Sequence, residues 1–342
     1  MTKTGKEDIM KKTDSGGNTM DIIRPEELKE LTANLHMEGV VLIGSYAVKT
    51  AKSGSEYIDG RIQSGYSVKF RAWSSSRAFQ KLKDKPLANH VCSISGRVDE
   101  YQGSCSVIVD DVQEVEGYSI GQFMPELYNT EEWFLSLQEN SCRMLSEKGR
   151  ETLDRLLYQN EALVSRLKEE FAAMSHHDNC KGGLLAHTVK MVDFLPIVLD
   201  NYPVLFSDKD DSGQLKESPD KRDLLVIGCI LHDIGKTREM DYGVYQKGSF
   251  VSHRFFGAEM VEEHKDYIVG QYGEEWFYHL IAILLQHHDQ FGDPCRDVYA
   301  LIVHKIDDIE SSLTNLSQEI EQNGNTDPSG QFIWYDNKTL YY

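Results

Sequence analysis

Hydrophobic and polar positions follow two different rhythms along this chain. Between Val40 and Val112 apolar residues recur in short runs separated by turn formers. Val40–Val48 and Tyr57–Gln63 flank the turn signal Lys52-Ser53-Gly54-Ser55. Ser67–Trp73 alternates, with Val68, Phe70 and Ala72 on one face and Lys69, Arg71 and Trp73 on the other. Ser76–Lys83 reads as a short helix ended by Pro86, and His90–Glu100 with Ser104–Val112 as a hairpin around Tyr101-Gln102-Gly103. Three strands, a helix and two more strands is the order of a small OB-fold β-barrel. After Gly117 the period lengthens. Arg150–Met174, Gly183–Asn201, Asp223–His232, His253–Val269, Glu275–His288 and Arg296–Leu316 carry apolar residues at three- and four-residue spacing, which predicts helices. Ser207–Arg222 reads as an acidic, solvated loop. The fold class is therefore multi-domain: a flexible leader at 1–24, a barrel over 25–118, an all-α domain over 119–322 and an irregular tail at 323–342.

Composition sharpens this division. A chain of 342 residues with 40% hydrophobic content can bury two cores, which excludes wholesale disorder. The formal net charge of −19 disfavours a protein that simply coats nucleic acid. Val41–Glu116 holds ten Lys/Arg against nine Asp/Glu, a balance of +1, so the remainder carries −20. Ten of the twelve histidines follow residue 175. One end is charge-balanced and the other is acidic and rich in histidine. No apolar run reaches the roughly 18 residues of a membrane helix, and the polar start does not read as a secretory signal. Six scattered cysteines without a CxxC pair suit free thiols in a reducing cytoplasm.

Chemistry concentrates in the helical part, at His187, His232-Asp233, His253, His287-His288 and Asp307, each on or at the end of a predicted helix. Imidazoles mixed with carboxylates are a ligand set for Zn, Mn or Fe(II), whereas carboxylates alone would favour Mg or Ca. Any one of these histidines could be an ordinary core residue. The run Leu231-His232-Asp233-Ile234-Gly235-Lys236 is harder to ascribe to packing. It sets two polar groups directly after a buried apolar run, where unpaired they would cost several kcal/mol.

The order H…HD…H…H…D resembles that of the HD-domain metal-dependent phosphohydrolases. Within that superfamily the chain is similar to the YhaM-type 3′–5′ exoribonucleases, which join an OB-fold to an HD domain. The likeness lies in Gly182–Thr188, Leu231–Lys236, His253–Gly257, Gln286-His287-His288 and His304–Asp308. Ala186 departs from it, since the family more often has Glu before the histidine. The resemblance implies that His187, His232, Asp233 and Asp307 hold one metal, and that His253 and His287 hold a second with Asp233 bridging. His288 would be a ligand or a donor to phosphate, and Lys236 an additional cation on the scissile phosphate. Asp307 is preferred to Asp308 on the family pattern. His304 and Asp308 read as a supporting partner and a solvated face.

Two divalent ions would polarise a water and stabilise charge on a phosphodiester. Mn is what the resemblance implies, while histidine-rich ligation also admits Fe, Ni, Co or Zn. The barrel would supply phosphate contacts from Lys49, Arg61, Lys69, Arg71 and Arg97, with Trp73 and Tyr101 as stacking platforms for unpaired bases. The expected activity is removal of nucleoside 5′-monophosphates from the 3′ end of single-stranded RNA, with single-stranded DNA as a further substrate. The alternative is hydrolysis of a small nucleotide or cyclic dinucleotide, with the barrel regulatory. No membrane partner is expected, and the apolar helical surface could support a homo-oligomer.

Overall fold

The computed structural model describes residues 20–101, 104–173, 178–246, 249–323, 332–335 and 338–341. The chain divides into two compact units, between Phe123 and Met124. In the first, a one-turn helix α1 (Pro25–Lys29) precedes β1 (His36–Thr50), β2 (Glu56–Ser64), β3 (Tyr66–Trp73), α2 (Arg77–Asp84), β4 (His90–Tyr101) and β5 (Ser104–Glu114). The strands close into a barrel in the order β1-β2-β3-β5-β4, with β3 parallel to β5 and the other pairs antiparallel. This is the five-stranded OB-fold.

Alternation decides what the barrel buries. Ile58, Ile62, Phe70, Ala72 and Val107 have no exposed surface and fill the interior. Residues between them point outward. Ser76 caps α2, its hydroxyl accepting from the Phe79 amide at 3.1 Å, and the helix adds Ala78, Phe79 and Leu82 to the same core. Between Ser95 and Gly96 the register shifts past an extra residue of β5, Asp110, which bends β5 against β4. Glycine is required there, because a Cβ at residue 96 would sit 2.1 Å from the Ile108 carbonyl oxygen. The end of the expected leader is part of the barrel rather than loose. The Ile23 amide donates to the Val40 carbonyl at 3.1 Å and the Val40 amide to the Asp21 carbonyl at 3.0 Å, and Ile23 is buried. The first nineteen residues lie outside the described ones.

The second unit is helical, and several of its breaks are not visible in the apolar spacing. It begins with α3 (Thr130–Met144), which the periodicity did not predict. A single helix over 150–174 is replaced by α4 (Glu147–Leu153), a π-helical segment (Asp154–Tyr158) and α5 (Glu161–Glu169). The interruption falls at Asn160, whose side chain accepts from the Leu163 amide and restarts the helix. Next come α6 (Gly183–Asn201), a hairpin of β6 (Ser207–Lys209) and β7 (Leu215–Glu217) within the expected loop, then α7 (Pro219–Leu231) and α8 (Lys236–Glu239). A short pair, β8 (Met240–Asp241) and β9 (Val244–Tyr245), leads to α9 (His253–Glu262) and α10 (Lys265–Tyr272), which replace one predicted helix. Then follow α11 (Glu274–Gln286) and α12 (Val298–Asn323). In the expected irregular tail, β10 (Phe332–Tyr335) pairs antiparallel with β11 (Lys338–Tyr341). The core lies between α6, α7, α11 and α12, around Leu184, Leu225, Ile227, Leu280 and Ile283. Among the described residues no helix is long and apolar enough to cross a membrane.

The barrel analysis predicts opposite costs at neighbouring positions of β3. Phe70→Ala should destabilise the protein by about 3–5 kcal/mol, whereas exposed Lys69→Ala should stay within about 0.5 kcal/mol of wild type. Urea unfolding of both variants checks this, and equal losses would contradict the assigned register.

Candidate metal centre

Each donor of the centre is delivered by a recognisable local device. The first turn of α6, Gly183–Thr188, is buried throughout, which places His187 inside the unit. The apolar run Leu224–Leu231 anchors α7 in the core, so the next two residues, His232 and Asp233, emerge still buried at 0% and 2% exposure. The chain then turns at Gly235. A Cβ there would lie 1.9 Å from the His253 carbonyl oxygen and 2.5 Å from the Gly257 amide nitrogen. Glycine thus lets the start of α9 press on the turn, and that contact brings His253 to Asp233. The last residue of α11 leads into His287 and His288, and α12 presents Asp307.

The two oxygens of Asp233 face two groups of imidazoles. Oδ2 lies 3.4 Å from His232 Nε2 and 3.9 Å from His187 Nε2, and Asp307 Oδ1 stands 3.4 Å from the same His187 nitrogen. Oδ1 lies 3.3 Å from His253 Nε2 and 3.5 Å from His287 Nε2, while His288 Nε2 is 2.9 Å from His253 Nε2. All seven expected residues, His187, His232, Asp233, His253, His287, His288 and Asp307, therefore come together. Within them, Asp233, His253, His287 and His288 form one potential metal group and His187, His232 and Asp233 another. The residues fit divalent ions on a specific ground: Asp233 Oδ1 and His287 Nε2 are buried and have no hydrogen-bond partner. Two orphaned buried donor atoms would cost several kcal/mol together, and cation ligation satisfies both.

A ring of acceptors fixes the imidazoles from behind. His187 Nδ1 bonds Glu310 Oε2 at 2.5 Å, His253 Nδ1 bonds Glu239 Oε2 at 2.9 Å, and His232 Nδ1 bonds the Cys229 carbonyl at 2.8 Å. His287 Nδ1 lies 3.2 Å from the Ile283 carbonyl. Occupied in this way, the Nδ1 atoms leave the Nε2 lone pairs aimed at the centre. His304 Nδ1 likewise bonds the His287 carbonyl at 2.8 Å and lies outside the ligand set. Glu239 and Glu310 were not singled out from the sequence. Glu310 carried a signal there, three residues after Asp307 on the same helix; Glu239 carried none that distinguishes it from a surface acid.

Charges at the centre are strongly coupled. Burial works against ionised Asp233, but the Lys236 ammonium and His232 hold it well below the usual carboxylate range. Burial likewise opposes charge on His187, yet hydrogen bonds to Asp307 and Glu310 outweigh it and raise the imidazole to about 10. The same bond overcomes burial at Glu310, which falls to about 2. Burial, reinforced by His287, takes His288 down to about 3, leaving it neutral. Lys236 is not a free surface cation: its Nζ donates to Asp233 Oδ2 and to the Ala172 carbonyl, both at 2.6 Å. Asp233, Lys236, His288 and Asp307 are among the residues that line a cavity of about 360 Å³.

The expected nucleic-acid residues lie on the barrel. Pairing sets Lys49 opposite Tyr57 and Tyr57 opposite Trp73, and it sets Arg61 opposite Lys69. Those five side chains share the outer face of β1, β2 and β3. The Tyr57 and Trp73 rings are 5.2 Å apart. Arg71 and Arg97 flank Ile108 on either side of β5. Asp59, unremarked in the sequence, pairs with Lys49 and lies 3.9 Å from Arg71, offsetting part of the positive charge. The side chain of Tyr101 lies outside the described residues.

Residues 184–312 match the family model of the HD domain. The chain is 25% identical over 323 residues to a protein named 3′-5′ exoribonuclease YhaM from Listeria monocytogenes, covering 88% of this chain and 93% of the relative. A protein of the same name from Listeria welshimeri is 24% identical over 327 residues, covering 89% and 94%. Among solved structures, a mitochondrial single-stranded DNA binding protein from S. cerevisiae is similar at 14% identity and a TM-score of 0.23, covering 26% of this chain and all of that one. The match to the HD domain thus falls within the helical unit, and the five-stranded barrel precedes it.

Because His187 holds a proton that a metal must displace, metal binding should release protons and strengthen as pH rises toward about 10. Without metal the sign for stability is mixed. The His187–Glu310 pair contributes fully above 4.5 and below 6.5, and is lost as pH falls through about 2 or rises through about 10. Calorimetric titration of metal-stripped protein with Mn at pH 6 and 8 should give tighter binding at pH 8. Glu310→Gln should weaken binding by roughly 10–100-fold. A pH-independent affinity, or no effect of the substitution, would contradict the geometry.

Proposed function

We propose, from a chain whose residues 184–312 form an HD domain, that this hydrolase is a metal-dependent 3′–5′ exonuclease acting on single-stranded RNA. The observation that carries the reading is the division of one buried carboxylate, Asp233, between two groups of imidazoles, with an oxygen and a nitrogen left unsatisfied between them. In this assignment His187, His232, Asp233 and Asp307 hold one ion, and His253, His287, His288 and Asp233 a second. Mn is the ion proposed. Such ions supply Lewis-acid stabilisation of the phosphodiester and a water made acidic enough to attack it.

The chain's own groups have separate tasks. His288 is assigned as a ligand and not a proton donor, because its neutral imidazole has no proton to spare at pH 7 as a cationic acid. Lys236 screens Asp233 and meets a phosphate from the cavity wall, adding positive charge where the pentavalent phosphorus develops negative charge. Glu239 and Glu310 orient their histidines and touch no substrate. Water adds to phosphorus, the bond to the 3′-oxygen breaks, and that oxygen takes up a proton. The products are a nucleoside 5′-monophosphate and a chain one unit shorter with a new 3′-hydroxyl.

The barrel's part is to hold the single strand. Lys49, Arg61, Lys69, Arg71 and Arg97 are assigned to phosphates and the Tyr57–Trp73 pair to stacking, a mode that tolerates any base. We place the protein in the cytoplasm, on six cysteines that stand as free thiols.

Metal-stripped protein reloaded with Mn should shorten a 5′-labelled RNA of about 20 nucleotides from its 3′ end and spare a 3′-blocked copy. Asp233→Ala should slow this by more than roughly 100-fold, beyond the loss expected from a residue behind a ligand. An intact RNA, with hydrolysis of a mononucleotide or cyclic dinucleotide instead, would overturn the proposal.

A further inference from the structure

A second carboxylate is buried in the helical unit without touching the donors of the centre. Glu170 follows the last residue of α5 and has no exposed surface. Each of its oxygens takes two hydrogen bonds. Oε1 accepts from the Phe171 amide at 2.9 Å and the Gly243 amide at 2.7 Å. Oε2 accepts from the Tyr242 amide at 3.2 Å and from Arg166 Nη2 at 2.6 Å. Arg166 reaches on to the Met240 carbonyl at 2.8 Å and to Asp241 Oδ1 at 2.9 Å. The carboxylate and its arginine together grip all four residues from Met240 to Gly243.

What is gripped is the turn between β8 and β9. Asp241 pairs with Val244, so the turn consists of Tyr242 and Gly243, at φ of 50° and 73°. A tyrosine at positive φ is strained, and a buried carboxylate is costly. A hairpin this short is marginal on its own, so the clamp is what keeps it in place. The hairpin in turn continues α8, and both ends of α8 serve the metal centre. At its start, Lys236 Nζ bonds Asp233 and the carbonyl of Ala172, two residues beyond Glu170. At its end, Glu239 bonds His253 Nδ1 and leads directly into β8. The Glu239 carbonyl accepts from the Gln246 amide, just past β9, at 3.0 Å.

We propose that Glu170 is a positioning residue of the metal centre: by clamping the β8–β9 turn it holds Glu239 against His253, and so sets the affinity of the ion assigned to His253, His287 and His288. This deepens the two-ion assignment and rests on it, whatever the substrate. It also implies an asymmetry between the two ions. Glu310, which holds His187, is supported by Thr314 and Lys190 and not by the clamp. Loosening the clamp therefore acts on one ion and spares the other.

Calorimetric titration of the full-length, metal-stripped protein with Mn tests this in wild type, Glu170→Gln, Glu239→Ala, the double variant and a matched control, Asp223→Asn. Asp223 is also an unexposed carboxylate; it bonds Ser146 and Tyr272 and, among the described residues, nothing in α8 or the hairpin. Glu170→Gln should weaken one of two equivalents by roughly tenfold, the low end for a partner of a ligand, and leave the other near wild type. The double variant should lose less than the product of the two single losses, as two steps on one path do. Asp223→Asn should change neither equivalent. Arg166→Ala loosens the same turn from a partly exposed position, and it should show the same asymmetry where Glu170→Gln does not fold. Equal weakening of both ions by the clamp variants, no weakening, or losses that multiply in the double variant would overturn the proposal. The wild-type stoichiometry separates this from failure of the two-ion assignment. If wild type takes up one Mn only, that assignment falls. Glu170 then keeps its role if Glu170→Gln and Glu239→Ala weaken that ion without multiplying, and loses it otherwise.

Discussion

A carboxylate with 2% of its surface exposed, placed among four imidazoles at 3.3–3.9 Å, is the constraint around which the helical unit is arranged. Burying Asp233 is costly, and the Lys236 ammonium meets only one of its oxygens. The other has no hydrogen-bond partner, and neither does His287 Nε2, 3.5 Å away. A fold driven by packing alone would have replaced this group with an apolar one. Instead, α6 and α9 begin and α7 and α11 end where a donor is needed, and α12 presents Asp307 from its interior. The Gly235 turn accepts a backbone approach that no other residue would permit. The carboxylates of Glu239 and Glu310, spent on the far nitrogens of two histidines, carry the same organisation outward.

Charge separates the tasks of the two units. In the acidic helical part, cations near the centre are neutralised in place, as Lys190 is by Asp178 and Lys236 by Asp233. On the proposed function, long-range attraction for a polyanion would then come from the barrel, whose net balance over Val41–Glu116, Asp59 included, is only +1. On that reading, stacking on Tyr57 and Trp73 would supplement a modest Coulomb attraction, and salt should weaken the Coulomb part of the grip.

Most of the barrel was legible, because period-two alternation is unambiguous when one face is buried and turns are marked by Gly and Ser. The candidate ligands were legible for a different reason: His232-Asp233 after the run Leu224–Leu231 has no packing rationale, and the family resemblance picked out the remaining donors. The misreadings have local causes. Asn160 and His264 interrupt helices whose apolar spacing runs on across the break; at Asn160 the restart is a capping hydrogen bond and not a hydrophobic signal. α3 went unseen because Leu137 and Ser141 are the residues it buries, too few to set a period. Lys236 was expected as a cation on phosphate, and its bond to the carbonyl of Ala172, sixty-four residues away, has no trace in the sequence. Glu239 was hidden for the same reason: its histidine lies fourteen positions on, with no helical register connecting them.

The central claim is that Asp233 is shared between two ions, and electron paramagnetic resonance of the Mn-loaded protein addresses it without reference to substrate. Two Mn ions bridged by one carboxylate should give two equivalents bound per chain and an exchange-coupled spectrum, and Asp233→Ala should abolish the coupling. A single equivalent, or two with the spectrum of isolated Mn, would contradict the account.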